Sequence, residues 1–443
     1  MGRIVNFLKV IRNNWKKSLF GAGVLAYGVD YAVDSYQIST MMRAYCEQAV
    51  KYGDEPCEIG KMRRITVILN PAANKKKAKK MFEQYCAPIL HLAGVFVSVL
   101  ETEKEGHARE LIDEIEPTTD AIVVAGGDGT LSETITGLMR SRGELCKIPI
   151  GVLPLGQRNL VARALFEEAD QHNVATVASA TLAVIKGNVK PVDAFRIEVI
   201  NTDPDASSSR PVYGVGSIEW GLRRELRKKA DGFWWVGALK DYAPLIFHGH
   251  RYHIGQDHGF IRADIRYSPP CQGCSSCYQY RADLKPQTVA RQTSRWWNVL
   301  SLQNRRNTRQ DVEPATDYST IINERCSTIE EKHVVTSDLQ LVSNNLQPVQ
   351  ENIPKLAIKV GPTVKYQGDL VSAGLKILKD DPSVLTDIIE AKQVEIRPLK
   401  KAQATNETLE DQDEDSLSID NEDFEVRPIR VSVLPNSIKV FCK

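Results

Sequence analysis

From residue 61 onward, runs of β-branched and aliphatic residues alternate with stretches whose apolar positions recur at helical spacing. RITVILNP reads as a strand, KKAKKMFEQYCAPILHLAG as a helix ending in glycine, VFVSVLET as a strand and GHARELIDEI as a helix. DAIVVAG, SETITGLMRS, IPIGVLPLG and LVARALFEEA continue the alternation, with strands beginning near 65, 95, 121 and 148. A repeat of roughly 30 residues per unit predicts right-handed βαβ crossovers and a parallel sheet covered on both faces. Further along, PVDAFRIEVI, KLAIKVG and IRVSVLPNSIKVFC alternate as strands, while SPPCQGCSSCYQYR and NRRNTRQDVEPATDYST have the composition of long loops.

In an open parallel sheet, ligands bind beyond the carboxyl ends of the strands. The residues there are Asn70 and Pro71, Glu101 and Thr102, Gly126 to Thr130, and Pro154 to Asn159. Within AGGDGT, the glycines of a strand-to-helix turn let backbone N–H groups approach a phosphate, and the next helix directs its positive end at the anion. A carboxylate in that loop repels phosphate unless a cation lies between them, so Asp128 fits a partner of nucleotide-bound Mg²⁺. The competing assignment for Asp128 is a helix cap in a tight turn. No G-x-x-x-x-G-K-[ST], H-R-D or D-F-G occurs, which excludes P-loop NTPases and protein kinases. NPAANKKK stands where a dehydrogenase would carry G-x-G-x-x-G.

Composition narrows the partners. The 443 residues are 42% hydrophobic, enough for two domains, and a net charge of +1 provides no global field to recruit nucleic acid. Charge is asymmetric locally: Arg3, Lys9, Arg12, Lys16 and Lys17 have no acidic counterpart before Asp30, and Ile4, Leu8, Ile11 and Trp15 lie at helical spacing. The apolar run Leu19 to Val29 covers about half of a roughly 30 Å hydrocarbon core, so it is expected to embed in a membrane without spanning it. An acid-poor, basic, amphipathic start fits mitochondrial targeting or an interfacial anchor. Cys271, Cys274 and Cys277 offer three zinc ligands, with His253 or His258 as distant fourths; a loop of free or disulfide-paired thiols is the more ordinary expectation. The Lys75 to Lys80 run suits polyphosphate, anionic headgroups or simply a solvated helix face. FWW at 233–235 suits a headgroup interface, an acyl pocket or a packed core.

LNPAA, AGGDGT, PLGQRN and SIDNEDFE occur in the order and spacing of the diacylglycerol kinase catalytic domain, shared by sphingosine, ceramide and bacterial lipid kinases. The resemblance covers roughly residues 60 to 443. With the N-terminus, APILHLAG and KIPIG, the chain resembles the mitochondrial acylglycerol kinases within that family. The resemblance implies an α/β N-terminal domain with a parallel sheet, of the diacylglycerol kinase and NAD kinase type, plus a β-rich (β-sandwich) C-terminal domain. The expected division is a membrane-targeting segment at 1–59, a nucleotide-binding domain at 60–190 and a lipid-substrate domain at 191–443.

The implied reaction transfers the γ-phosphoryl group of ATP, with Mg²⁺, to the hydroxyl of monoacylglycerol or diacylglycerol, giving lysophosphatidic or phosphatidic acid. Gly126, Gly127, Asp128, Gly129 and Thr130 are assigned to nucleotide and metal, with Asn70, Gly156 and Asn159 beside them. The family's G-T-x-N-D is here GQRNL, with Gln157 for a hydroxyl and Leu160 for an acid. Its D-G-E is DNE at 420–422, which makes Asp420 the expected general base, within a stretch otherwise composed like a disordered acidic linker. The resemblance also implies the mitochondrial inner membrane, facing the intermembrane space, and a subunit role in the translocase that inserts carrier proteins. An NAD kinase and a non-catalytic membrane scaffold are the alternatives.

Overall fold

A computed structural model describes residues 14–443 apart from 54–62, 142–146, 167–172, 201–209, 249–260, 272, 276, 278–319, 344–353, 365–366, 400–415 and 421. Helix α1 (Trp15–Gly53) leads into β1 (Arg63–Leu69), β2 (Val95–Glu101), β3 (Ala121–Gly126), α2 (Asp128–Arg140) and β4 (Ile150–Pro154). These strands pair in parallel in the order β2-β1-β3-β4. Every residue of β3 and β4 is buried, as expected where helices cover both faces of a parallel sheet. Helices α3 (Leu160–Phe166) and α4 (Asn173–Lys186) complete this half.

The predicted helix from Lys76 to Gly94 is broken. Asn74, Lys75 and Lys76 have positive φ, and the chain then passes through Ala78–Met81, a π-helical turn at Phe82–Cys86 and Ala87–Leu92. Pro88 explains the π turn, because it removes one N–H and its ring crowds the carbonyl of Gln84.

The sheet does not end at β4. After β5 (Val189–Val199), β6 (Val212–Gly214) and β7 (Ser217–Gly221) come α5 (Leu222–Ala230), α6 (Ala243–His248), β8 (Ile261–Ser268), β9 (Glu330–Thr336), β10 (Asp338–Ser343), β11 (Leu356–Val360), α7 (Gln367–Leu378), β12 (Asp387–Ala391), β13 (Gln393–Pro398), β14 (Ser416–Ile419), β15 (Glu422–Glu425) and β16 (Ile429–Phe441). β16 runs antiparallel to β5 and meets β4 in parallel at Val440 and Ile150, so one ten-stranded sheet continues through β13, β8 and β9. A bulge between Leu434 and Ile438 lets β16 turn toward β4, and the buried Asp193 carboxylate accepts the Asn436 N–H at 2.7 Å there. The second sheet, β12-β11-β10-β7-β14-β15, is antiparallel. Its Ile218, Trp220, Leu341 and Leu417 pack in one core with Ile396, Ile429 and Val431 of the first, forming the expected sandwich.

Phe441, at the end of β16, is fully buried in the core of the parallel half. Phe441→Ala should destabilise the protein by about 3–5 kcal/mol, the range for emptying a buried aromatic site. Denaturant unfolding monitored by circular dichroism checks it; a loss under about 1 kcal/mol would show that β16 contributes little to that core.

Helix α1 has two unlike halves. Met42, Tyr45, Cys46, Ala49 and Tyr52, at helical spacing, face the core. Leu19, Phe20, Leu25 and Tyr27 project into solvent, Phe20 being 76% exposed. The helix is roughly 58 Å long at about 1.5 Å per residue. No helix among the described residues is long and apolar enough to cross a membrane. Arg3, Lys9 and Arg12 lie outside the described residues.

Candidate functional site

The glycine-rich turn forms where β3 stops and α2 begins. Gly127 is the N-cap of α2, and no side chain caps it. Because the first N–H groups of any helix lack intrahelical partners, this end has donors and a positive dipole to offer an anion. The neighbouring side chains hold the turn in shape. Asn70 Nδ2 donates to Thr130 Oγ1 at 3.0 Å, while Asn70 Oδ1 accepts the Ala72 N–H at 3.0 Å. Asn159, at positive φ, closes on Gly156 twice, accepting its N–H and donating to its carbonyl at 2.9 Å each. Gly156 packs so tightly on Gly127 that a Cβ there would overlap the Gly127 Cα. Asn70 and Asn159 thus shape the rim with their side chains, and the glycines let two turns stack backbone to backbone.

Asp128 is buried, and its carboxylate accepts the N–H groups of Leu160 at 2.9 Å and Val161 at 3.1 Å. It caps α3, not the helix that it begins. The competing cap assignment is therefore met in an unexpected form, and it pins the PLGQRN turn to AGGDGT. A carboxylate oxygen has two lone-pair directions, so capping does not by itself exclude a cation.

Asp420 comes from the other half of the chain. It sits at φ 48° between β14 and β15 and is 4% exposed. Oδ1 accepts the N–H groups of Gly216 at 2.9 Å and Ser217 at 2.8 Å, and Oδ2 accepts that of Val215 at 3.1 Å. Only glycine suits the approaching strand: a Cβ on Gly214 or Gly216 would meet these oxygens at 2.6 and 2.5 Å. Burial pushes the Asp420 carboxyl up to about 7 against the pull of the three N–H donors, and Asp128 adds to the rise. Asn421 lies outside the described residues.

Glu422 extends from the same turn to the start of α2, where a side chain on Gly129 would come within 3.0 Å of Glu422 Oε1. Burial, then the adjoining Glu133, raises its carboxyl to about 8. Glu133 in turn accepts the N–H groups of Gly106 at 2.8 Å and Ala108 at 3.2 Å. The two halves are also tied by Arg158, which donates to the Arg227 carbonyl at 2.8 Å, while within the second half Arg224 holds Asp423 at 3.0 Å. Sequence reasoning missed Glu133, Arg158 and the 215–217 turn between β6 and β7; only the GVG of YGVGS hints at a close backbone approach.

Among the described residues, no three acids bring their oxygens close enough to share one ion. The rise at Asp420, to which Asp128 adds, and at Glu422, to which Glu133 adds, marks a place where positive charge would be welcome. Of the other candidates, Lys79 pairs with Glu101 at 2.7 Å and Lys75 to Lys77 line an exposed face. Phe233, Trp235 and Phe247 form a cluster with ring centroids 5.6–6.4 Å apart, Trp235 being largely exposed; the Trp234 side chain lies outside the described residues.

Known proteins share both halves. The profile of the diacylglycerol kinase catalytic domain matches residues 64–197, and that of the acylglycerol kinase C-terminal region matches 215–443. The mitochondrial acylglycerol kinase of Mus musculus is 31% identical over 440 residues, covering 98% of this chain and 96% of that one. Its counterpart in Xenopus laevis is 30% identical over 448 residues, covering 100% and 96%. A crystal structure of a putative diacylglycerol kinase from Bacillus anthracis shares the fold at a TM-score of 0.51 and 15% identity, over 88% of this chain and 98% of that one.

Proposed function

Since the chain belongs to the acylglycerol kinase family, we propose that it phosphorylates the hydroxyl of monoacylglycerol or diacylglycerol from ATP, giving lysophosphatidic or phosphatidic acid. The observation that carries this reading is the meeting of two turns: the N-terminus of α2, which no side chain caps, and the acidic turn of Asp420 and Glu422 above Gly129.

Phosphoryl transfer depends on alignment and charge neutralisation. The N–H groups opening α2 bind the phosphates, and the stacked Gly127 and Gly156 leave room for them. Asp128, with Glu422 near it, would hold Mg²⁺, whose contribution when bound is to offset phosphate charge. Asp420 is the general base. An ionised carboxylate has about four lone-pair sites, and three are taken by Val215, Gly216 and Ser217, so the proton goes to the remaining site on Oδ2. Those N–H donors also fix its direction, which is what a base needs besides a suitable pKa.

The test is purified protein supplied with labelled ATP, Mg²⁺ and, separately, monoacylglycerol, diacylglycerol, sphingosine, ceramide and NAD. Label should enter an acylglycerol; label entering NAD alone would overturn the reading.

Attachment to the mitochondrial inner membrane from the intermembrane-space side belongs to the same proposal and is supported by the exposed apolar half of α1. Deleting residues 1–33 should release the protein into the soluble fraction while keeping activity on detergent-dispersed lipid within a few-fold, because the docked Met42–Tyr52 face stays. Carbonate extraction and a mixed-micelle assay check this; unchanged membrane retention would move the anchor elsewhere, for instance to Trp235 and Phe247. A subunit role in the carrier translocase would coexist with catalysis, and comparing a catalytically dead variant with a full deletion isolates it.

A further inference from the structure

The CQGCSSC motif follows β8, and the structure brings a fourth thiol to it from a distant part of the chain. Cys326 lies in the short 3₁₀ helix Glu324–Ser327 that precedes β9. The sulfurs of Cys271, Cys274, Cys277 and Cys326 all lie within 4.8 Å of one another. Cys274 and Cys277 are 3.6 Å apart, and Cys277 and Cys271 3.8 Å. Cys271, Cys274 and Cys326 are buried, and together with Cys277 they form a small core of their own. The two histidines that could have supplied a fourth ligand, His253 and His258, lie outside the described residues and are not needed.

Three chemistries suit four clustered cysteines, and the spacing separates them. A disulfide holds its sulfurs about 2.05 Å apart, so two disulfides would give two short distances among long ones. An iron–sulfur cluster places its inorganic core between the thiolates and needs them spread wider than a single ion does. A tetrahedral site with Zn–S bonds of about 2.3 Å has S···S edges of about 3.8 Å, close to the 3.6 and 3.8 Å of the Cys274–Cys277 and Cys277–Cys271 pairs. Four thiolates on Zn²⁺ carry excess negative charge, and donors are in place to offset it. Lys392 Nζ stands 2.8 Å from Cys326 Sγ, Asn323 Nδ2 donates to Cys271 Sγ at 3.3 Å, and the Cys274 N–H donates to Cys277 Sγ at 3.3 Å. Such outer partners orient ligands and tune the ion.

We infer that Cys271, Cys274, Cys277 and Cys326 form a structural zinc site. All four positions are filled by protein, which leaves none for substrate or water, so the ion is a staple and takes no part in phosphoryl transfer. Its place in the fold shows what it staples. β8 and β9 pair from Ile261 and Thr336 to Tyr267 and Glu330, and the thiols flank this end of the pair, three following β8 and Cys326 preceding β9. There the Ser275 N–H also donates to the Ile321 carbonyl at 2.7 Å. Lys392, in the turn between β12 and β13, donates its backbone N–H to the Ser268 carbonyl and ties the cluster to the sheet. Zinc there joins the segment after β8 to the segment before β9, and its binding energy becomes folding energy for the edge of the sandwich.

The experiment is elemental analysis of full-length protein purified without added metal, together with mercurial titration of its thiols against a zinc-sensitive dye. One zinc per chain, released as the thiols react, is the expected result. Reconstitution with Co²⁺ should give the intense sulfur-to-metal and ligand-field absorption of a tetrahedral thiolate site. Cys326→Ser should lose the metal and lower the thermal transition, whereas Cys442→Ser, outside the cluster, should retain it. If Cys326→Ser does not fold, the wild-type metal content and the cobalt spectrum still decide. Protein that is zinc-free with these four thiols reduced, that carries disulfides among them by intact mass, or that contains iron in place of zinc overturns the inference.

Discussion

Asp420→Asn is expected to lower lipid phosphorylation by about 10²- to 10⁴-fold per folded molecule at neutral pH, the contribution of a positioned base. Nucleotide affinity should change little. The substitution keeps the shape, but its amide cannot accept the Val215 N–H where Oδ2 does, so about 1–3 kcal/mol of stability should go with it. Activity is therefore to be compared at equal folded fraction, measured by thermal unfolding. The pH dependence gives an independent check. A base raised to about 7 must be ionised to act, so wild-type kcat/KM should rise through about pH 7 and level above it, and the variant should lose that step. Stability moves the other way. The folded carboxyl holds its proton to about 7 and the unfolded one releases it near 3.8, so stability falls as pH is raised between those values. Asp413→Asn and Asp415→Asn change charge in the same acidic stretch and should be nearly silent. Equal small losses from all three would reduce the stretch to diffuse charge and remove Asp420 from the chemistry.

The second large effect is expected at Gly127. Its φ of −100° and ψ of −174° suit any residue, and a Cβ would rest 3.5 Å from the Gly156 Cα, an ordinary contact. Gly127→Ala should therefore fold normally and lose little. Gly127→Glu places an anion where phosphate is proposed to sit. A unit charge about 5 Å from a phosphate oxygen costs about 3 kcal/mol at an effective dielectric constant near 20, or about 10²-fold in affinity. Calorimetric titration with ATP and a thermal melt would separate binding from folding. Undiminished ATP binding by a well-folded Gly127→Glu protein would remove the turn from the nucleotide site. Gly126→Glu is a poorer probe, because Gly126 is buried and a Cβ there meets the Thr130 side chain at 2.8 Å. Its loss of activity would reflect misfolding as much as repulsion.

What can be read in the sequence follows from what leaves a side-chain trace. The β-branched runs of β1, β3 and β4 and the glycines after β3 announce a buried parallel sheet and a turn that needs room. Asp420 is legible because Ile419, Phe424 and Val426 frame it with strand character. The β6–β7 turn that holds it is not, since Val215, Gly216 and Ser217 act through backbone N–H groups, which any residue but proline supplies. Asp128 has the local pattern of a cap for its own helix. Only the parallel pairing of β3 with β4 brings the start of α3 within its reach. Cys326 is invisible for the same reason, being joined to its companions by the β8–β9 register and not by local spacing.

The return of β16 to the first sheet has a consequence for how the protein is made. Its contacts with β5, such as Ala194 with Ser437, join residues 243 apart in sequence. The ribosome finishes the N-terminal half's helices and four parallel strands long before their neighbouring strand exists, leaving the β4 edge uncovered while the sandwich is still being translated. Pairing so remote in sequence is slow to find. The two halves therefore mature as one cooperative unit, nascent chains should depend on chaperones through that interval, and residues 60–190 expressed alone should aggregate and not yield a stable ATP-binding fragment.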